Sequence, residues 1–379
     1  MASIGIQLFS GGFLGNSIPY EIVEQKLIFI LSKLPVDKVI MGWSGDKFLY
    51  EKTAKFLEKR NIEFYLWFPV FSETGALKNL NPLLDYQGRK LVSEKVHGEE
   101  NFAFCCPTDT QNIEMILKIF EQEFASIPFT GVFLDKIRYP SFAQSRRGVF
   151  SCFCPKCLEK FNKNNFDFDG FKASYSNQNH IPLNIRGYHG NGNYEFEDPN
   201  ISQFFSLKGK FIYQSIKSIC GYFKEKNYKI GLDVFAPFLS TFVGQDLVSL
   251  SRLCDFLKPM MYRITHAPAG MPFELNALLQ EKSERQGFCK ILGIGAENGI
   301  FNLDFTIKEL SNLKQISQCS ISAGIEINRK KNIAEVYPEY IEETMEAYVR
   351  TGIQGLILSW DLLDAPPENI VKVGEMMGR

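Results

Sequence analysis

The sequence predicts an α/β fold, a (β/α)8 or TIM barrel with a long insertion after strand four. Three observations point there. Short β-branched or aromatic runs alternate with amphipathic helical stretches along almost the whole chain. Eight such runs can be placed. The 379 residues exceed an ordinary small domain but suit a barrel of roughly 250 residues with additions.

The strands are expected at 4–9 (IGIQLF), 38–43 (KVIMGW), 63–71 (EFYLWFPVF), 131–137 (GVFLDKI), 229–235 (KIGLDVF), 256–262 (FLKPMMY), 322–327 (SAGIEI) and 355–360 (GLILSW). Between them, stretches such as YEIVEQKLIFILSKL (20–34) and PEYIEETMEAYVRTG (338–352) repeat apolar residues at helical spacing, the second closing on a glycine suited to a C-cap. A further run, KILGIGAENG at 290–299, reads either as a ninth strand or as an excursion before the seventh. Residues 139–200, rich in Asn, Gly, Tyr and Phe, lack periodicity and follow strand four directly. They read as a βα-loop insertion on the face where barrel enzymes diversify. No repeat or low-complexity linker divides the chain, so residues 1–379 are expected to form one domain.

Composition narrows the function. With 45% hydrophobic and 14% aromatic residues, the chain fills a large core and keeps rings for a ligand surface. A net charge of −1 without a Lys/Arg block argues against nucleic acid as a partner. The opening MASIGIQLFSGG enters a strand with no basic, apolar leader, and no stretch reaches eighteen apolar residues. A cytoplasmic, non-membrane protein is expected. The nine cysteines, several in apolar segments such as SIKSICGYF, fit reduced thiols better than a disulfide framework.

In such a barrel the C-terminal strand ends build the site. Asp135, Asp233 and Glu326 end strands four, five and seven, and Asp361 follows strand eight. The three tryptophans, Trp43, Trp67 and Trp360, hold equivalent places. Indoles stack on pyranose C–H faces, and paired carboxylates supply the acid and the nucleophile or base that an oxocarbenium-like centre needs. The expected substrate is therefore a carbohydrate and the expected catalytic pair Asp135 and Glu326, retaining if the carboxyls stand about 5 Å apart. The roles stay open: Glu326 as nucleophile with Asp135 as acid/base, or the reverse if Lys136 and Arg138 keep Asp135 ionised. Trp43, Trp67, Arg138, Asp233, Tyr262 and Trp360 are the expected substrate-binding residues, with Asp233 and Glu297 as reserve carboxylates. The bland reading of the pair is ion pairing, Asp135 with Lys136 or Arg138 and Glu326 with Arg329 or Lys330. His266 in YRITHAPAG suits substrate contact or plain solvation. A catalytically silent carbohydrate-binding or scaffold barrel is the alternative function. A phosphosugar enzyme is disfavoured because LSWDLLDAPPEN lacks the glycines of a phosphate cradle.

GVFLDKIRYP resembles the fourth-strand pattern G-[IV]-x-L-D-x-I-R-[YF]-P of bacterial hypothetical glycosyl-hydrolase families, and FCCPTDTQN resembles the C-P-x-[NT]-P that precedes it there. CFCPKCLEKF resembles the C-x-C-x2-C-x3-F that follows strand four of the family 42 β-galactosidases, where an earlier cysteine completes a zinc site. The resemblance covers strands four and five best and about two thirds of the chain loosely. It implies a glycosidase-like barrel with carboxylates on strands four and seven. One departure is plain: those galactosidases carry Asn-Glu where this chain has Leu134-Asp135. Cys152, Cys154 and Cys157 with one upstream thiol make a four-cysteine tetrahedral site for structural zinc, and the spacing leaves Cys105 and Cys106 open as the fourth ligand. The resemblance to C-P selects Cys106. Trp360 resembles the eighth-strand tryptophan of many retaining barrel glycosidases, which implies a cis Ser359–Trp360 peptide.

Overall fold

A parallel strand covered on both faces needs apolar residues throughout, and the barrel strands of this chain have them. A computed structural model, which describes residues 2–11, 18–73, 80–91, 95–96, 100–101, 103–176, 183–279, 282–294 and 302–378, places these strands at β1 (Ser3–Phe9), β2 (Lys38–Gly42), β3 (Glu63–Pro69), β4 (Gly131–Asp135), β5 (Lys229–Phe235), β6 (Phe256–Met260), β7 (Ser320–Glu326) and β8 (Gly355–Ser359). They pair in parallel in the order β1-β8-β7-β6-β5-β4-β3-β2 and the circle closes, giving the expected (β/α)8 barrel.

The run at 290–299 adds no strand among the described residues. Residues up to Leu292 end a helix (Lys282–Leu292), and 295–299 lie outside the described residues. That helix belongs to the β6–β7 crossover. α5 (Leu303–Ile316) belongs to the same crossover; elsewhere the crossovers use α1 (Tyr20–Lys33), α2 (Lys47–Glu58), α3 (Thr110–Glu123), α4 (Pro199–Glu225) and α6 (Pro338–Arg350), with α7 (Pro367–Met376) after β8. Each buries an apolar stripe: α1 buries Val23, Leu27 and Ile30, spaced four and three apart. Asp46, Asp109 and Asn302 start α2, α3 and α5 by accepting from first-turn N–H groups. No helix of the described residues is long and apolar enough to cross a membrane.

Aromatic rings fill the barrel's interior, among them Tyr65, Trp67, Phe133 and Phe256. They fit because facing positions lack side chains. A Cβ on Gly231 would stand 2.3 Å from the Phe256 ring, and one on Gly131 2.4 Å from that of Tyr65.

From β4 to α4 the chain passes through three short helices (Arg146–Val149, Pro155–Lys163, Phe168–Ser176) and a hairpin (Ile185–Tyr188 with Tyr194–Phe196). This segment packs on α4 through phenylalanines. The ring of Phe204 lies 6.0 Å from Phe150, 5.9 Å from Phe153 and from Phe161, and 4.8 Å from Phe171. Phe204→Ala is expected to cost about 3–5 kcal/mol in urea unfolding, and Phe204→Leu far less, because the large truncation leaves a cavity beneath four rings. A negligible loss would show that the segment does not depend on this contact.

Candidate functional site

β6 reads FLKPM, an apolar strand with a lysine at its centre. Lys258 is 1% exposed, and an ammonium ion so deep persists only where oxygens surround it. Its Nζ donates to Asp233 Oδ2 at 3.2 Å, Gln7 Oε1 at 2.9 Å and Tyr262 OH at 2.6 Å. Register explains the first contact, since β5 pairs Asp233 with Lys258. Ser359 Oγ donates to the same Gln7 oxygen at 2.7 Å. Gly324 of β7 leaves the room: a Cβ there would lie 2.6 Å from Lys258 Cε. Four strands thus build a polar floor around one cation.

Asp135 stands beside that floor. Leu134 pairs with Leu232, so Asp135, the last residue of β4, and Asp233, two residues before the end of β5, sit at one level of adjacent strands. Trp67 Nε1 donates to Asp135 Oδ2 at 3.0 Å, and the Lys136 backbone N–H donates to Oδ1. Lys136, with φ of 53°, holds its ammonium 3.9 Å from the Trp43 ring centre. Arg138 donates through Nη1 to Tyr139 O and Gln144 Oε1, and its guanidinium lies 4.4 Å from the centre of the Phe235 ring.

Burial pushes the Asp233 carboxyl up to about 7; Lys258 pulls against this, and the charge of Asp135 adds to it. Burial lowers Arg138 to about 10, opposed by Glu274, Asp135 and Asp233. Burial works against the Lys258 ammonium too, yet Asp233, Tyr262 and Asp135 together hold it above the ordinary lysine value. Asp233 Oδ1, Gln7 Nε2 and Trp43 Nε1 are buried with no hydrogen-bond partner among the described residues. A buried polar atom without a partner costs about 1–3 kcal/mol. One acceptor and two donors around this floor mark a face made for a polar ligand.

The other expected residues are placed as follows. Glu326 is fully buried, and both its oxygens face protein donors: Oε1 accepts from Ile264 N (2.8 Å), Thr265 N (3.1 Å) and Thr265 Oγ1 (3.1 Å), and Oε2 from Tyr340 OH. It fastens the loop after β6 to α6. The ion pairs considered for it give way to Arg329 with Glu368. Trp43 and Trp67 lie together, ring centres 5.3 Å apart and each 7% exposed, so much of their stacking surface is covered by protein. Trp360 is partly buried and packs against the larger hydrophobic cluster, its backbone N–H donating to Asn328 Oδ1 at 3.0 Å, and the Ser359–Trp360 peptide is cis. Tyr262 joins the floor through Lys258. Asp361 accepts from Phe9 N and Leu363 N, which is a loop-closing part. The backbone N–H of His266 donates to Ile333 O, and Glu297 lies outside the described residues. Sequence reasoning passed over Lys258 and Gln7. The signal was there: one polar residue inside each of two otherwise apolar strands, IGIQLF and FLKPM.

A second cluster forms where the insertion meets the barrel. The sulfurs of Cys106, Cys152, Cys154 and Cys157 are buried within 4.8 Å of one another, with Cys106 Sγ 3.6 Å from Cys154 Sγ and 3.5 Å from Cys157 Sγ. Cys106 is thus the upstream thiol of the cluster, while Cys105 pairs in a β-bridge with Pro82. Cys154 caps the Pro155–Lys163 helix and Cys157 lies in its first turn, so the helix N-terminus faces the thiols. Leu84 N–H and Cys154 N–H donate to Cys152 Sγ, and Thr108 Oγ1 lies 3.1 Å from Cys157 Sγ. Tetrahedral zinc with thiolates at about 2.3 Å separates its sulfurs by about 3.8 Å, so donor set and spacing both fit a metal ion. Burial pulls the Lys208 side chain well below the ordinary lysine value, opposed by the charges of Cys152 and Cys157.

Similar solved structures are glycoside hydrolase barrels. The glycoside hydrolase domain of PgaB (BpsB) from Bordetella bronchiseptica gives a TM-score of 0.58 at 12% identity, over 96% of this chain and 95% of its own. A class V chitinase from Pseudomonas fluorescens Pf-5 gives 0.52 at 10% identity, over 100% and 99%. α-L-Fucosidase isoenzyme 2 from Paenibacillus thiaminolyticus gives 0.52 at 10%, over 100% of this chain and 49% of that enzyme. The likeness is one of fold. No family model and no curated protein matches the sequence.

Glu326→Ala strands the N–H groups of Ile264 and Thr265 and is expected to cost about 1–3 kcal/mol in chemical unfolding. Unchanged stability would mean that these bonds hold nothing in place.

Proposed function

We propose that the protein is a glycoside hydrolase that cleaves a carbohydrate over the polar floor by a two-carboxylate retaining mechanism. Asp135 is its nucleophile and Asp233 its acid/base. The observation that carries this reading is the pair itself, two carboxyls level on adjacent strands, with a buried acceptor and donors beside them that lack partners among the described residues. Retaining enzymes hold their two carboxyls roughly 5–5.5 Å apart, closer than inverting ones, and side chains at one level of adjacent strands belong to the nearer range.

The roles follow from the surroundings. Asp233, raised to about 7, holds a proton near neutrality and can pass it to the leaving oxygen. Lys258 then stabilises the carboxylate left behind. Asp135, aimed by Trp67 and the Lys136 N–H and flanked by Lys136 and Arg138, attacks the anomeric carbon. In the second half Asp233 takes a proton from water as it opens the glycosyl ester. Gln7 Nε2 and Trp43 Nε1 supply donors for sugar hydroxyls.

The pairing of Asp135 with Glu326 has its own support: a strand-end position on β7 and a carboxyl raised by burial despite Tyr340, Ile264 and Arg263. Turnover separates the two. Asp135→Asn should lower kcat/KM by several orders of magnitude on an activated aryl glycoside, with azide giving inverted product. Asp233→Asn should keep the first step on that substrate and give retained product with azide. If Glu326→Gln shows this behaviour and Asp233→Asn stays active, Glu326 is the partner. If neither Asp135→Asn nor Asp233→Asn changes hydrolysis more than a few-fold, the reading fails. Wild-type kcat/KM is expected to fall above about pH 7, where the acid carboxyl loses its proton. A profile flat to pH 9 would contradict that role.

We also propose that the four thiolates hold one structural zinc in a reducing compartment, the reading that the resemblance of the cysteine stretch to family 42 enzymes supports. Four thiolates leave no open position, so the ion would tie the insertion to the segment before α3 without activating water. Elemental analysis should find about one zinc per chain, and Cys154→Ser should lower Tm while intrinsic chemistry persists. Metal-free protein with every thiol open to alkylation would refute it.

A further inference from the structure

A different pair of thiols lies at the other end of the barrel. β6 and β7 run side by side, and each is preceded by a turn that carries a cysteine: Cys254 stands two residues before β6 and Cys319 immediately before β7. Phe256 pairs with Ser320, and Ser320 N–H donates to Asp255 O, so the starts of the two strands are held in register. The sulfurs come within 3.6 Å, across 65 positions of sequence. Both residues are partly exposed, unlike the four buried thiols of the cluster. Ser317 Oγ lies 3.5 Å from Cys319 Sγ and completes a polar setting for that sulfur.

We propose that Cys254 and Cys319 are a redox modification site that closes reversibly into a disulfide when the protein meets a peroxide. Cys319 is the attacking thiol: hydrogen bonding from Cys254 pulls it down to about 7 in spite of burial, with Ser317 and the Leu257 N–H assisting. Burial keeps Cys254 well above the ordinary thiol range, as suits the resolving partner. The Cys319 thiolate attacks one peroxide oxygen, the O–O bond breaks, and sulfenic acid forms with release of one water after protonation. Cys254 sulfur then attacks the sulfenic sulfur, and its proton leaves with the hydroxyl as a second water. Two thiols are oxidised and one peroxide is reduced. Moving from 3.6 Å to a bond of about 2.05 Å asks for about 1.5 Å, shared between two side chains. The link joins adjacent strands at the face opposite the polar floor, where barrels carry stability and not chemistry.

The test treats the purified full chain with equimolar hydrogen peroxide and digests it without reduction. A peptide pair joining Cys254 to Cys319, about 2 Da lighter than the sum of its parts and separated by dithiothreitol, is expected. Oxidised protein should lose two alkylatable thiols, a loss absent in Cys319→Ser and in Cys254→Ser. The latter should instead accumulate a sulfenic acid that a dimedone probe labels at Cys319. The proposal is overturned if the pair stays alkylatable while other thiols oxidise, if Cys319 proceeds to sulfinic acid without a link in the wild type, or if the link joins separate chains.

Discussion

The barrel is organised around one buried cation. An ammonium ion inside a closed sheet must be surrounded by oxygens, and here they come from a neighbouring strand, from across the barrel and from the turn that follows. Lys258 takes Asp233 from β5, Gln7 from β1 and Tyr262 from the turn after its own strand. β7 yields a glycine at the crossing point. These choices gather the polar residues around Lys258, with the carboxylate of Asp135 beside them on the adjacent strand. Asp233 is thereby both held by a cation and buried deeply enough to stay protonated near neutrality. In the proposed reaction, the burial of Asp233 is what fits it to give the proton.

The insertion after β4 is stabilised separately. Its phenylalanines stack on α4, and its thiols reach back to Cys106, just upstream of α3. Ahead of both attachments, directly after β4, the chain carries Lys136 beside the Trp43 ring and Arg138 beside the Phe235 ring.

Much of this was legible in the sequence. Alternation and length pointed to eight strands and a closed barrel, because each strand is short, apolar and bounded. C-x-C-x2-C showed a thiol cluster, and Cys106 joins it. Strand ends pointed to Asp135 and Asp233. What sequence could not show was pairing across the barrel: Lys258 meets Gln7 over 251 positions. Position on a strand likewise placed Glu326 at the mouth but said nothing of the N–H groups of Ile264 and Thr265 that occupy its oxygens. Trp360 shares a strand-end position with Trp43 and Trp67, yet those two pack together in one cluster while Trp360 packs against another. The run at 290–299 left two readings open because a short apolar stretch bounded by glycines suits a helix end as well as a strand, and its described part begins in a helix end.

The most direct measurement is a crystal structure of the protein soaked with a saturating monosaccharide or an unreactive glycoside. The account predicts a sugar ring at the mouth beside Trp43 and Trp67, with hydroxyls within hydrogen-bond distance of Asp233 Oδ1 and Gln7 Nε2 and the anomeric carbon facing Asp135. A sugar bound elsewhere, with those atoms satisfied by the protein's own groups, would contradict it.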